Sequence, residues 1–204
     1  MGGYMSSGLP RVVFIEGNIG SGKSSVLDEL EKQGEFVVRE AVDSWSFLPL
    51  RYTDPTRWMF SLQVEIAASI QKRLCEALEK TPEDKIIFLE RSLISALLFS
   101  KVAYKNLHLT KEEFTLFESL CEKSIEKYTN ISSLVVYINC DTDICLQRIK
   151  YRNRDKESST ITIEYLDALK SEMDTQFNSN CVIIDGTKTT KDIAMDILSH
   201  LNTM

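Results

Sequence analysis

The sequence contains few of the residues that mark fibrous or disordered chains. Its 204 residues include only eight glycines and four prolines, too few for a collagen-like or low-complexity protein. The hydrophobic share of 43% and the charged share of 26% are those of an ordinary globular protein, with a core large enough to need no disulfides. We therefore expect a flexible lead-in at 1–10 and a single domain over 11–204.

Long apolar runs and an excess of positive charge are also missing. No stretch of the sequence reaches the length that spans a bilayer, and no signal peptide pattern opens it. The net charge of −6 argues against binding a nucleic-acid polymer, since that requires a basic face. We expect a cytoplasmic protein with no membrane or nucleic-acid partner. A mature mitochondrial protein or a viral protein in the host cytoplasm are the alternatives.

The cysteines lack the spacing of a metal site or a disulfide framework. They number five, an odd count, and no histidine pair accompanies them; they are Cys75, Cys121, Cys140, Cys145 and Cys181. We interpret all five as reduced thiols, most of them in the core.

Short apolar runs alternate with segments of helical periodicity along the chain. The runs predict buried strands at 11–16, 36–38, 85–89, 134–138 and 181–184. Helices are predicted at 24–33, 55–80, 93–104, 110–128, from the Asp141 cap to about 151, 163–177 and 189–201. This alternation is typical of an α/β fold, with a central parallel sheet covered by helices on both faces.

A complete phosphate-binding loop follows the first predicted strand. Its pattern is Gly17-x-x-x-x-Gly22-Lys23-Ser24, in the strand-loop-helix setting that the motif requires. Backbone N–H groups and the helix N-terminus would hold phosphate oxygens, Lys23 would reach the β- and γ-phosphates, and Ser24 would ligate Mg²⁺. The predicted ATP contacts also include Asn18, Ile19, Gly20, Ser21 and Ser25. The loop predicts a triphosphate donor and leaves the phosphate acceptor open.

Two carboxylates, Glu40 and Glu90, follow the second and third predicted strands. Ligands of parallel sheets bind at the carboxyl ends of strands. Phosphoryl transfer to a hydroxyl calls for a base near that hydroxyl and a metal near the phosphates. Glu40 is the candidate base, and Glu90 is the candidate Mg²⁺ ligand. Taken singly, each could instead be a solvated charge at a strand end.

A basic cluster lies between two predicted helices, where Arg148, Arg152 and Arg154 occur beside two lysines. Such arginines can stabilise the charge of a transferring phosphoryl group, and a flap that carries them can close over the nucleotide. We predict an Arg-rich lid at about 150–160. The alternative is an exposed charged loop.

The order and spacing of these motifs resemble those of the deoxynucleoside kinase family, over nearly the whole chain. The matching segments are Glu16-Gly17-Asn18-Ile19-Gly20-Ser21-Gly22-Lys23-Ser24, Glu40-Ala41-Val42-x-x-Trp45, Pro55-x-Arg57-Trp58-x-Phe60-x-x-Gln63, Glu90-Arg91-Ser92-x-x-Ser95-Ala96, Arg148-x-x-x-Arg152-x-Arg154 and Glu164-Tyr165-Leu166. The resemblance implies a P-loop kinase with ATP and Mg²⁺, acting as a homodimer through helices such as 55–80 and 93–104.

The resemblance also implies roles for single residues. Glu40 would accept the proton of the nucleoside 5′-hydroxyl, and Arg91 would hold that hydroxyl and Glu40 in register. Gln63 would pair with the edge of the base, because its amide both donates and accepts. The remaining implied contacts are Trp45, Ile19 and Leu62 around the base, and Tyr52 and Glu157 at the sugar 3′-hydroxyl.

The sequence departs from the family pattern in the predicted base pocket. Ala41 stands where the family has a proline directly after the catalytic base, Glu40. The aromatic residue that stacks on the nucleobase is absent or shifted to Phe99. Ile70 and Ala96 stand where the deoxycytidine kinase branch carries an Arg–Asp pair. Because these two residues leave apolar room for a thymine methyl, we predict that thymidine is accepted alongside deoxycytidine.

Two other functions are compatible with part of this pattern. A thymidylate-type kinase would bind its charged acceptor with arginines, whereas a carboxylate base suits a neutral nucleoside. A non-catalytic relative acting as a structural subunit would have no need of Lys23, Ser24, Glu40, Glu90 and Arg91 together.

Overall fold

The computed structural model describes residues 11–154 and 160–204. Five strands form one parallel sheet in the order β2-β3-β1-β4-β5. They are β1 (Val12–Gly17), β2 (Phe36–Val38), β3 (Ile87–Glu90), β4 (Ser133–Asn139) and β5 (Val182–Asp185). The predicted α/β fold with a parallel sheet is confirmed.

The helices cover both faces of this sheet. They are α1 (Lys23–Lys32), α2 (Leu48–Thr53), α3 (Pro55–Lys80), α4 (Leu93–Lys105), α5 (Lys111–Glu126), α6 (Thr142–Arg152), α7 (Ile163–Gln176) and α8 (Thr190–Leu201). Of these eight helices in the described ranges, seven were predicted within about two residues of their bounds. The sequence prediction missed α2 and a 3₁₀ turn at Val42–Ser44.

Successive side chains of β1 point to opposite faces of the sheet, and each face is covered by a layer of helices. Val13 and Ile15 are fully buried and pack with α1 and α8, while Val12 is fully buried on the other face with α3. Burying a side chain of this size stabilises the fold by roughly 1.5–3 kcal/mol. A shift of one residue would exchange the two faces, so the register of β1 is firmly set, and with it the start of the phosphate-binding loop.

Local capping sets where the long helices begin. The Asp54 side chain accepts a hydrogen bond from the backbone N–H of Arg57, and Pro55 occupies the first turn of α3. Thr110 and Glu113 form the predicted capping box at the start of α5. Asp141 lies at the N-cap of α6, but its side chain makes no capping bond with the described residues. The start of α3 determines which of its residues face the sheet edge.

All five cysteines are free thiols, and three of them, Cys121, Cys140 and Cys145, are buried.

None of the helices in the described ranges is long and apolar enough to cross a membrane.

Candidate active site

A cavity of about 1030 Å³ lies at the carboxyl end of the sheet. Its wall contains most of the predicted site residues: Ile19, Gly20, Gly22, Lys23, Ser24, Ser25, Glu40, Trp45, Tyr52, Leu62, Gln63, Ile70, Glu90, Arg91, Ala96, Phe99, Arg148, Arg152 and Arg154. Gly17, Asn18 and Ser21 are buried and absent from that wall. The predicted contact Glu157 lies outside the described residues. One cavity therefore joins the predicted donor and acceptor sides.

Two glycines shape the phosphate-binding loop. Gly22 precedes α1 with φ +99°, a left-handed conformation that favours glycine. Gly20 has φ +79°, and a Cβ there would lie 2.4 Å from the carbonyl oxygen of Cys145. The loop therefore packs directly on α6. With this backbone, the N-terminus of α1 opens into the cavity, as anion binding requires.

Lys23 is a buried cation held over the loop. Its Nζ donates to the carbonyl oxygens of Gly17 at 3.0 Å and Asn18 at 2.8 Å. Burial, followed by the nearby charge of Arg91, lowers the pKa of Lys23 to about 8. The ammonium group is still mostly charged at neutral pH, and it is placed beside the loop without a carboxylate partner of its own among the described residues.

Glu90 connects the loop to the end of β2. Its Oε1 accepts from the Ser24 hydroxyl at 2.8 Å, and its Oε2 accepts from the backbone N–H of Glu40 at 3.1 Å. The Glu90 side chain is buried. This carboxylate thus fixes the distance between the donor loop and the segment that carries Glu40.

Glu40 and Arg91 form an ion pair inside the cavity. Arg91 Nε lies 3.1 Å from Glu40 Oε1, with side chains 7% and 11% exposed. Arg91 Nη1 also donates to the Gly17 carbonyl oxygen at 2.9 Å, and the guanidinium carbon lies 4.8 Å from the centre of the Phe99 ring. The Arg91 backbone is left-handed, with φ +64°, which costs about 1–2 kcal/mol for a residue other than glycine. Several contacts hold this strained residue in place.

The end of the cavity away from the phosphate-binding loop combines apolar walls with an amide oxygen that has no partner among the described residues. Ile70 and Ala96 are each 1% exposed and belong to one cluster. Gln63 is buried, and its Oε1 has no hydrogen-bond partner among the described residues, while its Nε2 faces Met59 Sδ at 3.7 Å. A buried polar atom without a partner costs about 1–3 kcal/mol. A bound ligand with donors and acceptors on one edge would remove this cost.

The basic cluster meets the loop through Arg148. This guanidinium donates to the carbonyl oxygens of Ser21 at 3.1 Å and Gly186 at 3.2 Å. Arg152 ends α6, and Arg154 follows it on the cavity wall. The rest of the predicted lid, at 155–159, lies outside the described residues. The described arginines therefore contribute positive charge at the donor side.

Sequence reasoning assigned no role to two charged residues around the site, the half-buried Arg73 and the buried Glu16. Arg73 of α3 donates from Nη1 to the carbonyl oxygens of Arg39 at 3.1 Å and Glu90 at 3.3 Å. It therefore joins the carboxyl ends of β2 and β3. Its spacing of three from Ile70 places it on the same helical face, a signal that could have indicated it. The second, Glu16, is the one charged residue inside a strand sequence that is otherwise apolar.

Comparison with known proteins agrees with this geometry. Residues 13–204 match the family described as deoxynucleoside kinase. A deoxynucleoside kinase homologue of Frog virus 3 (isolate Goorha) is 32% identical over 166 residues, covering 80% of this chain and 81% of that protein. The deoxyadenosine kinase of Lactobacillus acidophilus is 32% identical over 152 residues, covering 72% and 69%. The structure of deoxyadenosine kinase from M. mycoides with bound dCTP has a TM-score of 0.80 at 22% identity, covering 95% of this chain and all of that one.

The fold and the site define a P-loop kinase. The chain belongs to the deoxynucleoside kinase family, and it is a phosphotransferase that acts on deoxynucleosides.

Proposed function

We propose that this enzyme transfers the γ-phosphoryl group of ATP to the 5′-hydroxyl of a pyrimidine deoxynucleoside. The observation that supports this most strongly is the Glu40–Arg91 pair, 3.1 Å apart, in the same cavity as Lys23 and Ser24. A carboxylate held by a guanidinium is suited to accept a proton from a neutral hydroxyl. Residues of the phosphate-binding loop line the same cavity, so donor and acceptor would meet there.

The residues of the cavity divide the reaction between them. Lys23, the α1 N-terminus and Arg148 would hold and neutralise the triphosphate. Glu40 would take the hydroxyl proton as the new P–O bond forms and the bond to the ADP oxygen breaks. Arg91 would orient Glu40 and the hydroxyl. Since the transferring group is loosely bound in the transition state, positioning and charge supply most of the acceleration.

The oxygen atoms beside the loop fit Mg²⁺. The Ser24 hydroxyl and the Glu90 carboxylate are adjacent, with oxygens 2.8 Å apart, and both are hard ligands of the kind that Mg²⁺ prefers. No group of three or more potential metal ligands occurs among the described residues. We propose that Ser24 and Glu90 hold Mg²⁺ directly or through its waters, together with ATP phosphates. Such an ion neutralises the developing phosphate charge.

The walls around Gln63 support a pyrimidine preference. Ile70 and Ala96 form a buried apolar surface on the cavity, where a thymine methyl would pack without displacing a charge. Gln63 would read the base edge by its free Oε1 and its Nε2. We propose that Trp45, Leu62 and Phe99 flank the base and that Tyr52 and Glu157 contact the sugar.

A panel of the four deoxynucleosides with ATP and Mg²⁺ tests this proposal. We expect the highest kcat/KM for thymidine and deoxycytidine. Phosphorylation of deoxycytidine with thymidine untouched would refute the role given to Ile70 and Ala96. A preference for deoxyadenosine, the nucleoside that names the Lactobacillus relative, would refute the pyrimidine preference.

Competition between thymidine and thymidine monophosphate separates a nucleoside kinase from a thymidylate-type kinase. The acceptor end carries Glu40 close to the expected hydroxyl, and a second phosphate would be repelled there. We expect thymidine to be consumed and the monophosphate to accumulate. Consumption of the monophosphate alone would favour the thymidylate-type enzyme.

We also propose that the enzyme is a cytoplasmic homodimer. The five free thiols suit a reducing compartment. Apolar side chains on the long helices, Val64, Leu116 and Leu120, are 38%, 54% and 49% exposed and could lie in a subunit interface. Analytical ultracentrifugation tests the dimer, and cell fractionation tests the compartment; a monomer at micromolar concentration or recovery with mitochondria would contradict these proposals.

A further inference from the structure

Glu16 is a buried carboxylate for which the proposed reaction has no use. It lies near the end of β1 and is 0% exposed. Its Oε1 accepts from the backbone N–H of Ser92 at 2.8 Å and from the Ser92 hydroxyl at 2.6 Å, and its Oε2 accepts from the Ser95 hydroxyl. Burial raises the pKa of Glu16, and a buried carboxyl group is costly unless its hydrogen bonds are satisfied. The contacts all lead to the start of α4, directly after Arg91.

Where the chain leaves β3, the Glu16 carboxylate accepts a backbone hydrogen bond in place of a strand carbonyl oxygen. The backbone N–H of Arg91 still donates to the Ile15 carbonyl oxygen at 3.1 Å, which extends the pairing of β1 with β3. The next N–H, of Ser92, donates to Glu16 instead. Arg91 lies between these two bonds with φ +64°. Both sides of the left-handed residue are thus tied to β1.

The second oxygen of Glu16 extends this support to the guanidinium. The Ser95 hydroxyl that donates to Glu16 Oε2 also lies 3.5 Å from Arg91 Nη1. The same Nη1 donates to the carbonyl oxygen of Gly17, the residue after Glu16. Two of the contacts that direct Arg91 toward Glu40 therefore depend on Glu16 and its neighbour.

We propose that Glu16 is a positioning residue, which fixes the left-handed backbone and the guanidinium of Arg91 so that Arg91 faces Glu40. The inference rests on the proposed function, because it gives Arg91 and Glu40 their roles. The hydrogen bonds of Glu16 go to the start of α4, on the acceptor side. Those of Lys23 go to carbonyl oxygens of the loop. We therefore expect the main effect of Glu16 on the acceptor side.

Glu16→Gln keeps the shape and replaces an acceptor oxygen by a donor group, so one of the serine contacts is lost. Misplacing a catalytic group by about 1 Å can cost roughly 100-fold in rate. We expect kcat to fall by roughly that factor, with a much smaller change in KM for ATP. In an Arg91→Lys background, the same change at Glu16 should have no further effect on kcat.

Glu172→Gln is the matched control. Glu172 of α7 is also a buried carboxylate, and it pairs with Lys101 and Lys105 of α4, but it is not on the cavity wall. This variant should lose thermal stability and keep its kcat. If Glu16→Gln fails to fold, Ser95→Ala removes the bridge to Arg91 Nη1 and is judged by the same double-variant comparison.

Unchanged kcat in Glu16→Gln, or effects at Glu16 and Arg91 that multiply independently, would overturn the inference. A wild-type enzyme that phosphorylates no deoxynucleoside would instead overturn the proposed function. The two failures are therefore distinguished before any variant is compared.

Discussion

The proposed donor side and the proposed acceptor side of the cavity are built in different ways. The donor side is mainly one continuous segment, 17–25, and it presents backbone groups and one lysine. The acceptor side takes side chains from the ends of β2 and β3 and from α2, α3 and α4. Local conformation fixes the first, whereas packing between distant segments fixes the second. Changes on the acceptor side should therefore alter one step or one substrate, and changes on the donor side should affect every substrate alike.

The largest expected effect comes from removing the catalytic base, Glu40, which should impair catalysis far more than ATP binding. In Glu40→Gln, kcat should fall by roughly 10²–10⁴-fold, the usual contribution of general base catalysis. The Kd of ATP, measured by isothermal titration calorimetry, should change far less, because Glu40 makes no described hydrogen bond or ion pair with the loop residues 17–24 and acts on Lys23 only through its charge. Retained turnover would refute the base assignment, and a loss of ATP affinity as large as the loss of kcat would refute the assignment of Glu40 to the acceptor side.

The next effect concerns substrate choice on the acceptor side. Ile70→Arg combined with Ala96→Asp places a charged pair at two buried positions of one cluster. The pair should crowd the 5-methyl group, so kcat/KM for thymidine relative to deoxycytidine should fall by roughly 10–100-fold. Ala68→Arg is the control, because it adds the same charge at an exposed position of α3 to which no role is assigned. An unchanged substrate ratio in the double variant would show that these residues do not contact the base.

A smaller effect tests the donor side through pH. Lys23 is charged below its pKa of about 8 and neutral above it, so its attraction for phosphate weakens as pH rises through 8. We expect KM for ATP to rise there by a similar factor for every nucleoside. Lys23→Arg keeps its charge at all these pH values and should lose this limb of the profile. A flat KM for ATP in the wild type would contradict the role of Lys23.

The smallest effect lies outside both sides. Thr110→Ala removes the cap of α5 and should lower the free energy of unfolding by about 1 kcal/mol. Thermal denaturation would show a lower Tm, with kcat and both KM values unchanged. Thr115→Ala, at an exposed position in the same helix, should leave Tm nearly unchanged. Altered kinetics in Thr110→Ala would mean that α5 transmits strain to the cavity.

The contrast between the two sides also explains what the sequence could predict. The loop from Gly17 to Ser24 carries its own conformational signal, and apolar runs located all five strands. The segment 41–54 gave no secondary-structure signal, because its 3₁₀ turn and α2 are too short to show a periodicity. The order of strands was not predicted either, because it depends on contacts between distant segments.

Apart from Glu40, which its position after a strand indicated, individual roles on the acceptor side were accessible only through resemblance or structure. Gln63 and Tyr52 look like ordinary polar residues until the cavity brings them together. Arg73 and Glu16 act on the backbone of neighbouring segments. Helical spacing indicates the face on which Arg73 lies, but no local pattern reveals these backbone partners. Side-chain function of this kind is a property of the packed molecule.

The carbonyl oxygen of Gly17 accepts from both Lys23 Nζ and Arg91 Nη1. If bound phosphate drew Lys23 Nζ from this oxygen, Arg91 would be its remaining described side-chain donor, and occupancy of one side would change the energy of the other. By thermodynamic linkage, ATP would then change nucleoside affinity by the same factor by which the nucleoside changes ATP affinity. A single shared acceptor would thus couple the two substrates with no movement of helices.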